Sequence, residues 1–182
     1  MKVGVLALQG AYARHSEVLR GLGHTVALVR TPGDLAGLGG LVLPGGESSV
    51  QLALIARAGL EPALRAFLAK DNDKPVLATC AGLILLARHV TNPQQPSFAL
   101  LDVKVTRNAW GRQIHSFEAR SDSLDLPLVF IRAPRIVEHG PNVQVLARYQ
   151  DEPVLVREHN LTAATFHPEL TADDRIHRQV FG

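Results

Sequence analysis

The sequence predicts an α/β fold: a mostly parallel central sheet with helices on both faces, and an added antiparallel part in the C-terminal half. Three observations lead there. Through roughly the first half of the 182 residues, apolar runs of strand length alternate with stretches of helical spacing, which is the signature of βαβ units and so of a parallel sheet. After Pro96, short apolar runs follow one another with turn residues between them and little helix, the texture of hairpins. The composition, 46% hydrophobic and 20% charged, belongs to an ordinary globular chain and excludes a disordered tail or a fibrous repeat.

The elements follow in order. Residues 3–8 are nearly continuous in apolar side chains, as a parallel strand covered on both faces requires. The run is far short of the ~20 residues of a membrane span and lacks a small-residue cleavage site. Gln9-Gly10 breaks it. In residues 11–22, Tyr12, His15, Leu19 and Leu22 share a helical face, and Gly21 and Gly23 mark the end. Residues 26–29 give the next strand. Leu41-Val42-Leu43 gives a third, stopped by Pro44-Gly45-Gly46, where only a loop fits. Ser48 or Ser49 is expected to cap a helix running to Arg57, and Glu61-Pro62 opens another. Residues 75–79 read as a strand and 81–89 as a helix. Strands are expected at 101–106, 126–131, 143–147, 154–156 and 161–166, then a helix at 172–180. No repeat, low-complexity tract or linker interrupts residues 1–182, so one domain is expected, burying about 70% of its unfolded surface.

Charge and cysteine count narrow the function. Lys plus Arg minus Asp plus Glu is 19 − 17 = +2, and the basic residues are scattered, which argues against nucleic acid despite a pI near 9.0. Cys80 is the single cysteine, so an intrachain disulfide and a multi-cysteine metal site are both excluded. With no long apolar run and no targeting signal, the expectation is a cytoplasmic protein that does not enter a membrane.

Cys80 lies between a predicted strand and a predicted helix, with small residues Ala78 and Gly82 two positions away on either side. That pattern fits a nucleophile elbow, and amide dipoles at a helix N-terminus favour a thiolate. The competing reading is a buried structural cysteine. A cysteine nucleophile needs a base, and the base needs an orienting group. Of eight histidines, His15 reads as a helix-face residue, His24 as a strand start, and His139, His159 and His177 as solvated. His167 differs: it ends an apolar run, and in an extended chain Glu169 would face the same way and hold its imidazole, with Pro168 stiffening the pair. Alone, His-Pro-Glu would be a turn. Consecutive glycines in Leu43-Pro44-Gly45-Gly46-Glu47-Ser48 expose amides that can cradle an oxyanion, and the absence of a Gly-Lys-Ser ending argues against a nucleoside triphosphate.

Taken together, Cys80, His167 and Glu169 behind a Pro-Gly-Gly loop resemble the class I (triad) glutamine amidotransferases. Six blocks resemble, within that class, the glutaminase-subunit family of pyridoxal 5′-phosphate synthase (the PdxT family). They are Gly4-Val5-Leu6-Ala7-Leu8-Gln9-Gly10, Pro44-Gly45-Gly46-Glu47-Ser48-Ser49, the block from Thr79 to Ala87, Arg107-Asn108-Ala109-Trp110-Gly111-Arg112-Gln113, Phe130-Ile131-Arg132-Ala133-Pro134 and Phe166-His167-Pro168-Glu169-Leu170-Thr171. Ala78 stands where the family elbow usually has glycine, and Trp110 and His115 replace a smaller aromatic and an aspartate.

The resemblance implies a three-layer, flavodoxin-like domain that hydrolyses L-glutamine to glutamate and ammonia. Cys80 is the implied nucleophile, His167 the acid/base and Glu169 the residue that orients it. Backbone N–H groups of Gly46 and Ala81 would hold the oxyanion. Glutamine binding falls by resemblance to Gly46, Glu47, Ser48, Arg107, Ile131 and Arg132. The chain would carry no cofactor and no metal. Its partner would be a barrel-shaped synthase subunit that uses the ammonia with ribose 5-phosphate and glyceraldehyde 3-phosphate, in an assembly of twelve and twelve. The alternatives are the glutaminase of another amidotransferase, such as imidazole glycerol phosphate synthase, a non-catalytic binding subunit of the same fold, or a redox-sensing cysteine protein.

Overall fold

A computed structural model describes residues 1–107 and 116–182; Trp110, His115 and most of the block opened by Arg107 lie outside the described residues. In chain order the elements are β1 (Lys2–Leu6), α1 (Tyr12–Gly21), β2 (Thr25–Val29), β3 (Gly40–Leu43), α2 (Ser48–Arg57), α3 (Glu61–Phe67), β4 (Val76–Thr79), α4 (Ala81–Leu86), β5 (Ala87–Thr91), β6 (Leu101–Thr106), β7 (Ser116–Arg120), β8 (Pro127–Ile131), β9 (Arg135–His139), β10 (Gln144–Tyr149), β11 (Glu152–Glu158), β12 (Leu161–Ala164) and α5 (Arg175–Phe181). Short 3₁₀ turns occupy Pro32–Leu35 and Pro168–Leu170.

The central sheet has the order β10-β11-β12-β4-β3-β1-β2. β2, β1, β3, β4 and β12 run parallel, and β11 and β10 extend the sheet antiparallel. This is the doubly wound arrangement, whose ligands sit outside the carboxyl ends of the strands. The α/β expectation with a mixed C-terminal half therefore holds. Alternation along the strands explains the layers: Leu41, Leu43, Val76 and Ala78 point into one apolar cluster, while Val42 and Leu77 point into the other. The first cluster includes Ile55 of α2, Leu64 of α3 and Leu85 of α4, and the second includes Leu19 of α1 and Ile176 of α5. β5-β6-β9 and β7-β8 form two smaller sheets.

Two local expectations change. Spacing predicts one helix over 81–89, but α4 stops at Leu86 and the chain extends as β5. The carbonyls of Leu85, Leu86 and Ala87 are taken by the Phe98 N–H, the Leu100 N–H and the Ser97 hydroxyl, so tertiary donors replace the next helical turn. Likewise α2 is capped by Glu47 rather than by a serine: its carboxylate accepts from the Val50 N–H at 2.8 Å and from Ser49 Oγ at 2.6 Å. The strands β5, β7 and β9 were not expected from the sequence at all.

Candidate active site

The four loops that leave β1, β3, β4 and β12 at their carboxyl ends meet at one cavity of about 290 Å³. Gly46, Glu47, Ser48, Cys80, Arg107, Ile131, Arg132 and His167 line it, joined by Gln9 and Ile84. Of the residues singled out in the sequence, Ala81 and Glu169 stand one layer back, both buried. Ala81 is the first residue of α4, and Glu169 lies behind His167.

Cys80 occupies the turn between β4 and α4 with φ 48° and ψ −101°, a conformation that non-glycine residues rarely adopt. Its N–H donates to Ala164 O at 2.9 Å, and its carbonyl accepts from the Ile84 N–H at 3.3 Å. Gly82 is required on steric grounds, because a Cβ there would lie 2.1 Å from Leu43 O. Sγ makes a long 3.9 Å contact with Ile131 O.

His167 is hung from β8 by its N–H, which donates to Val129 O at 2.9 Å. Nδ1 lies 2.7 Å from Glu169 Oε1, and the ring shares the cavity lining with Cys80. The pairing of His167 with Glu169 holds, but by a different route: β12 ends at Ala164, and the 3₁₀ turn at Pro168–Leu170, not an extended i and i+2 pair, brings the carboxylate round. Burial pulls His167 toward its neutral form, but hydrogen bonds and charge from Cys80 and Glu169 outweigh it and raise its pKa to about 10. For Glu169, burial favours the protonated form, yet His15 and His167 hold its carboxyl below the usual range.

Three glutamines that the sequence reading left unassigned tie the loops together. Gln9 Oε1 accepts from the Glu47 N–H at 2.9 Å. Gln51 Nε2 donates to Gln9 O and Pro44 O. Gln95 Oε1 accepts from Ser48 Oγ at 3.0 Å and from the Arg107 guanidinium at 2.6 Å, and Arg107 also pairs with Glu47 Oε1 at 2.8 Å. The Ser49 hydroxyl, the Val50 amide and Arg107 keep Glu47 ionised below the usual carboxylate range despite partial burial. Gln9-Gly10 was a signal in the first block: Gly10 has φ 103°, and a Cβ there would lie 1.9 Å from Gly45 O.

His177 corrects the reading of it as solvated: it is fully buried against His15, with His15 Nδ1 2.9 Å from His177 Nε2. Its polar neighbours Arg175 and Arg178 point outward from α5, and the histidine points in. His139 and His159 are exposed as expected. Among the described residues no cluster of three or more His, Cys, Asp or Glu side chains is set to hold a metal, and no helix is long and apolar enough to cross a membrane.

The model of the SNO glutamine amidotransferase family matches residues 5–181. The pyridoxal 5′-phosphate synthase subunit PdxT of Koribacter versatilis is 52% identical over 97% of this chain and 92% of its own length. The PdxT subunit of Thermotoga maritima is 46% identical over 98% of this chain and 96% of its own. A crystal structure described as a glutamine amidotransferase superposes with a TM-score of 0.90 at 43% identity, covering 98% of this chain and 96% of that one. PurLQS from Thermotoga maritima matches with a TM-score of 0.69 at 16% identity over 96% and 90% of the two chains, a likeness of fold. With the family pattern matched almost from end to end and relatives alike over nearly their whole length, the chain belongs to the SNO glutamine amidotransferase family.

Proposed function

We propose that this chain is the glutaminase of a pyridoxal 5′-phosphate synthase, hydrolysing L-glutamine and passing ammonia to a separate synthase subunit. The observation that carries the chemistry is His167 held at 2.7 Å by buried Glu169 and lining the same cavity as Cys80. The PdxT relatives carry the choice of pathway.

With the proton on His167, Cys80 Sγ attacks the side-chain carboxamide carbon of glutamine and forms a C–S bond. The carbonyl electrons move to oxygen. The amides flanking Gly46 are already engaged, Gly45 N–H with Thr79 Oγ1 at 3.0 Å and Glu47 N–H with Gln9 Oε1. That leaves the Gly46 N–H for the oxyanion, together with the Ala81 N–H, which at the first position of α4 has no partner within its helix. Each such donor contributes roughly 3–4 kcal/mol in comparable acyl transfers. His167 then protonates the amide nitrogen, the C–N bond breaks, and ammonia leaves a glutamyl thioester on Cys80. Water attacks the thioester, giving a proton to His167; the C–S bond breaks and glutamate departs. Glu47, Arg107 and Arg132 place both signs of charge at the cavity, as the zwitterionic end of an amino acid needs.

Ammonia in neutral water is protonated and stops being a nucleophile, so a glutaminase that feeds a synthesis needs a docked acceptor. The proposal places this chain in a cytoplasmic complex of twelve synthase and twelve glutaminase subunits, as one domain without its own cofactor. The decisive experiment reconstitutes the chain with a synthase subunit. Cys80→Ala is expected to abolish glutamine-dependent formation of pyridoxal 5′-phosphate while added ammonium salt still supports it. Retention of glutamine-driven synthesis by that variant would sink the nucleophile assignment.

A further inference from the structure

Behind Glu169, and away from the cavity, lies a buried chain of polar side chains that the proposed chemistry does not use. His15 on α1 and His177 on α5 are both fully buried, their rings joined at 2.9 Å. His15 Nε2 lies 3.1 Å from Thr79 Oγ1 and 3.3 Å from Glu169 Oε2. That carboxylate oxygen is fully buried and, among the described residues, has no well-formed hydrogen bond, so His15 Nε2 at 3.3 Å is the polar group facing it.

The proton positions follow from what is missing. Among the described residues, the buried His177 Nδ1 has no hydrogen-bond partner. A proton there would be an orphaned donor, which is rarer and costlier than an orphaned lone pair. His177 therefore carries its proton on Nε2 and donates it to His15 Nδ1. A neutral His15 must then be protonated on Nε2, and that N–H is directed to Thr79 Oγ1 with Glu169 Oε2 beside it at 3.3 Å. Burial lowers the pKa of both rings, and in His177 the neighbouring His15 lowers it further, so both stay neutral near pH 7.

We infer that His15 is a positioning residue for the Cys80–His167–Glu169 machinery: its Nε2–H steadies the second oxygen of Glu169, while His177 fixes the His15 tautomer. The inference rests on the glutaminase reading. Two helices that are far apart in sequence thus brace the carboxylate that orients His167. A bare packing contact between α1 and α5 would need neither the Nε2 tautomer nor any approach to Glu169.

The charged and titratable groups around the carboxylate are His167 on its own turn, His15 from α1 and, through His15, His177 from α5 with Asp174 at that helix's start. Removing the His15 donor raises the proton affinity of Glu169, and a protonated Glu169 no longer orients His167. In the complex with the synthase subunit, His15→Leu is expected to lower kcat for glutamine hydrolysis about 10-fold at pH 7.5, with KM unchanged within about twofold because His15 does not line the cavity. The acid limb of its kcat profile should move up by about one pH unit. His15→Gln, whose amide nitrogen can stand where Nε2 stood, should restore the limb. An unmoved acid limb in His15→Leu, or no rescue by His15→Gln, overturns the inference. Nitrogen-15 NMR of the unaltered full chain reads it without any variant: His15 should be a neutral Nε2–H tautomer at pH 7.5, and an Nδ1–H tautomer or a cation overturns it. Failure of the glutaminase reading would show instead as an unaltered complex that hydrolyses no glutamine, and it leaves the NMR result to decide on its own.

Discussion

Gly45 sits beneath two members of the site at once. A Cβ at this position would lie 2.3 Å from His167 Cε1, 2.9 Å from its Nδ1 and 3.3 Å from Cys80 Cβ. His167 cannot swing clear cheaply, because Glu169 holds the ring and Val129 O holds the backbone. Gly45→Ala should therefore displace the imidazole and reduce kcat by about 100-fold, with a stability loss of only about 1–3 kcal/mol. Steady-state kinetics beside urea denaturation test this, and a variant with normal kcat would show that the ring has room to move. The sequence already pointed to the Gly-Gly pair, as a loop exposing amides; the steric need at Gly45 appears only once β3 and β12 are neighbours of β4. Cys80, His167 and Glu169 were legible for the opposite reason, since their residue types and positions at element ends carry the chemistry locally. His15 and His177 were not. They lie 162 positions apart; His15 shares a helix face with Tyr12, Leu19 and Leu22, but nothing near it points to His177, and nothing near His177 marks that residue as inward-facing.

At the scale of elements, the β4–α4 elbow is one of the places where a non-glycine residue is held at positive φ. Strand and helix are both ordinary, but the one residue between them has φ 48°. Holding a side chain there costs of order 1–3 kcal/mol, whereas glycine adopts the region freely and gives up about 1 kcal/mol of conformational entropy elsewhere in the balance. Cys80→Gly is thus expected to be more stable than Cys80→Ala by about 1 kcal/mol, the reverse of the usual order. Equal or inverted melting temperatures for the two variants would mean that the surrounding structure relaxes the turn. The same scale shows which elements a sequence reveals. β1, β3, β4 and β12 are buried on both faces and read as continuous apolar runs. β7 alternates between exposed and half-buried residues, and β9 carries Arg135, Glu138 and His139 on a largely exposed strand, so neither has an apolar run to find. β5 follows α4 with no glycine or proline between them, and only its partners at 97–100 decide where the helix ends.

For the molecule as a whole, one face of the central sheet is closed by α1 and α5, and the contact between them includes two uncharged imidazoles. That links global stability to pH. The folded pKa of His177 is lowered to about 3, first by burial and then by the adjacent His15, against an ordinary value of 6.5. The folded state therefore binds fewer protons than the unfolded chain between those limits. Stability is intact above about pH 6.5 and declines as pH falls, because the unfolded chain takes up a proton that the folded chain refuses. The slope for one such site is about 1.4 kcal/mol per pH unit. Replacing His177 by Gln removes the site while keeping a polar side chain of similar reach. Between pH 6.5 and 4.5 the variant should lose about 2–3 kcal/mol less than the unaltered chain, whatever carboxylates contribute equally to both. Urea denaturation at a series of pH values measures the difference directly. Parallel stability curves would mean that His177 takes up its proton in the folded state, and the two helices would then have to part at their shared imidazole contact to admit it.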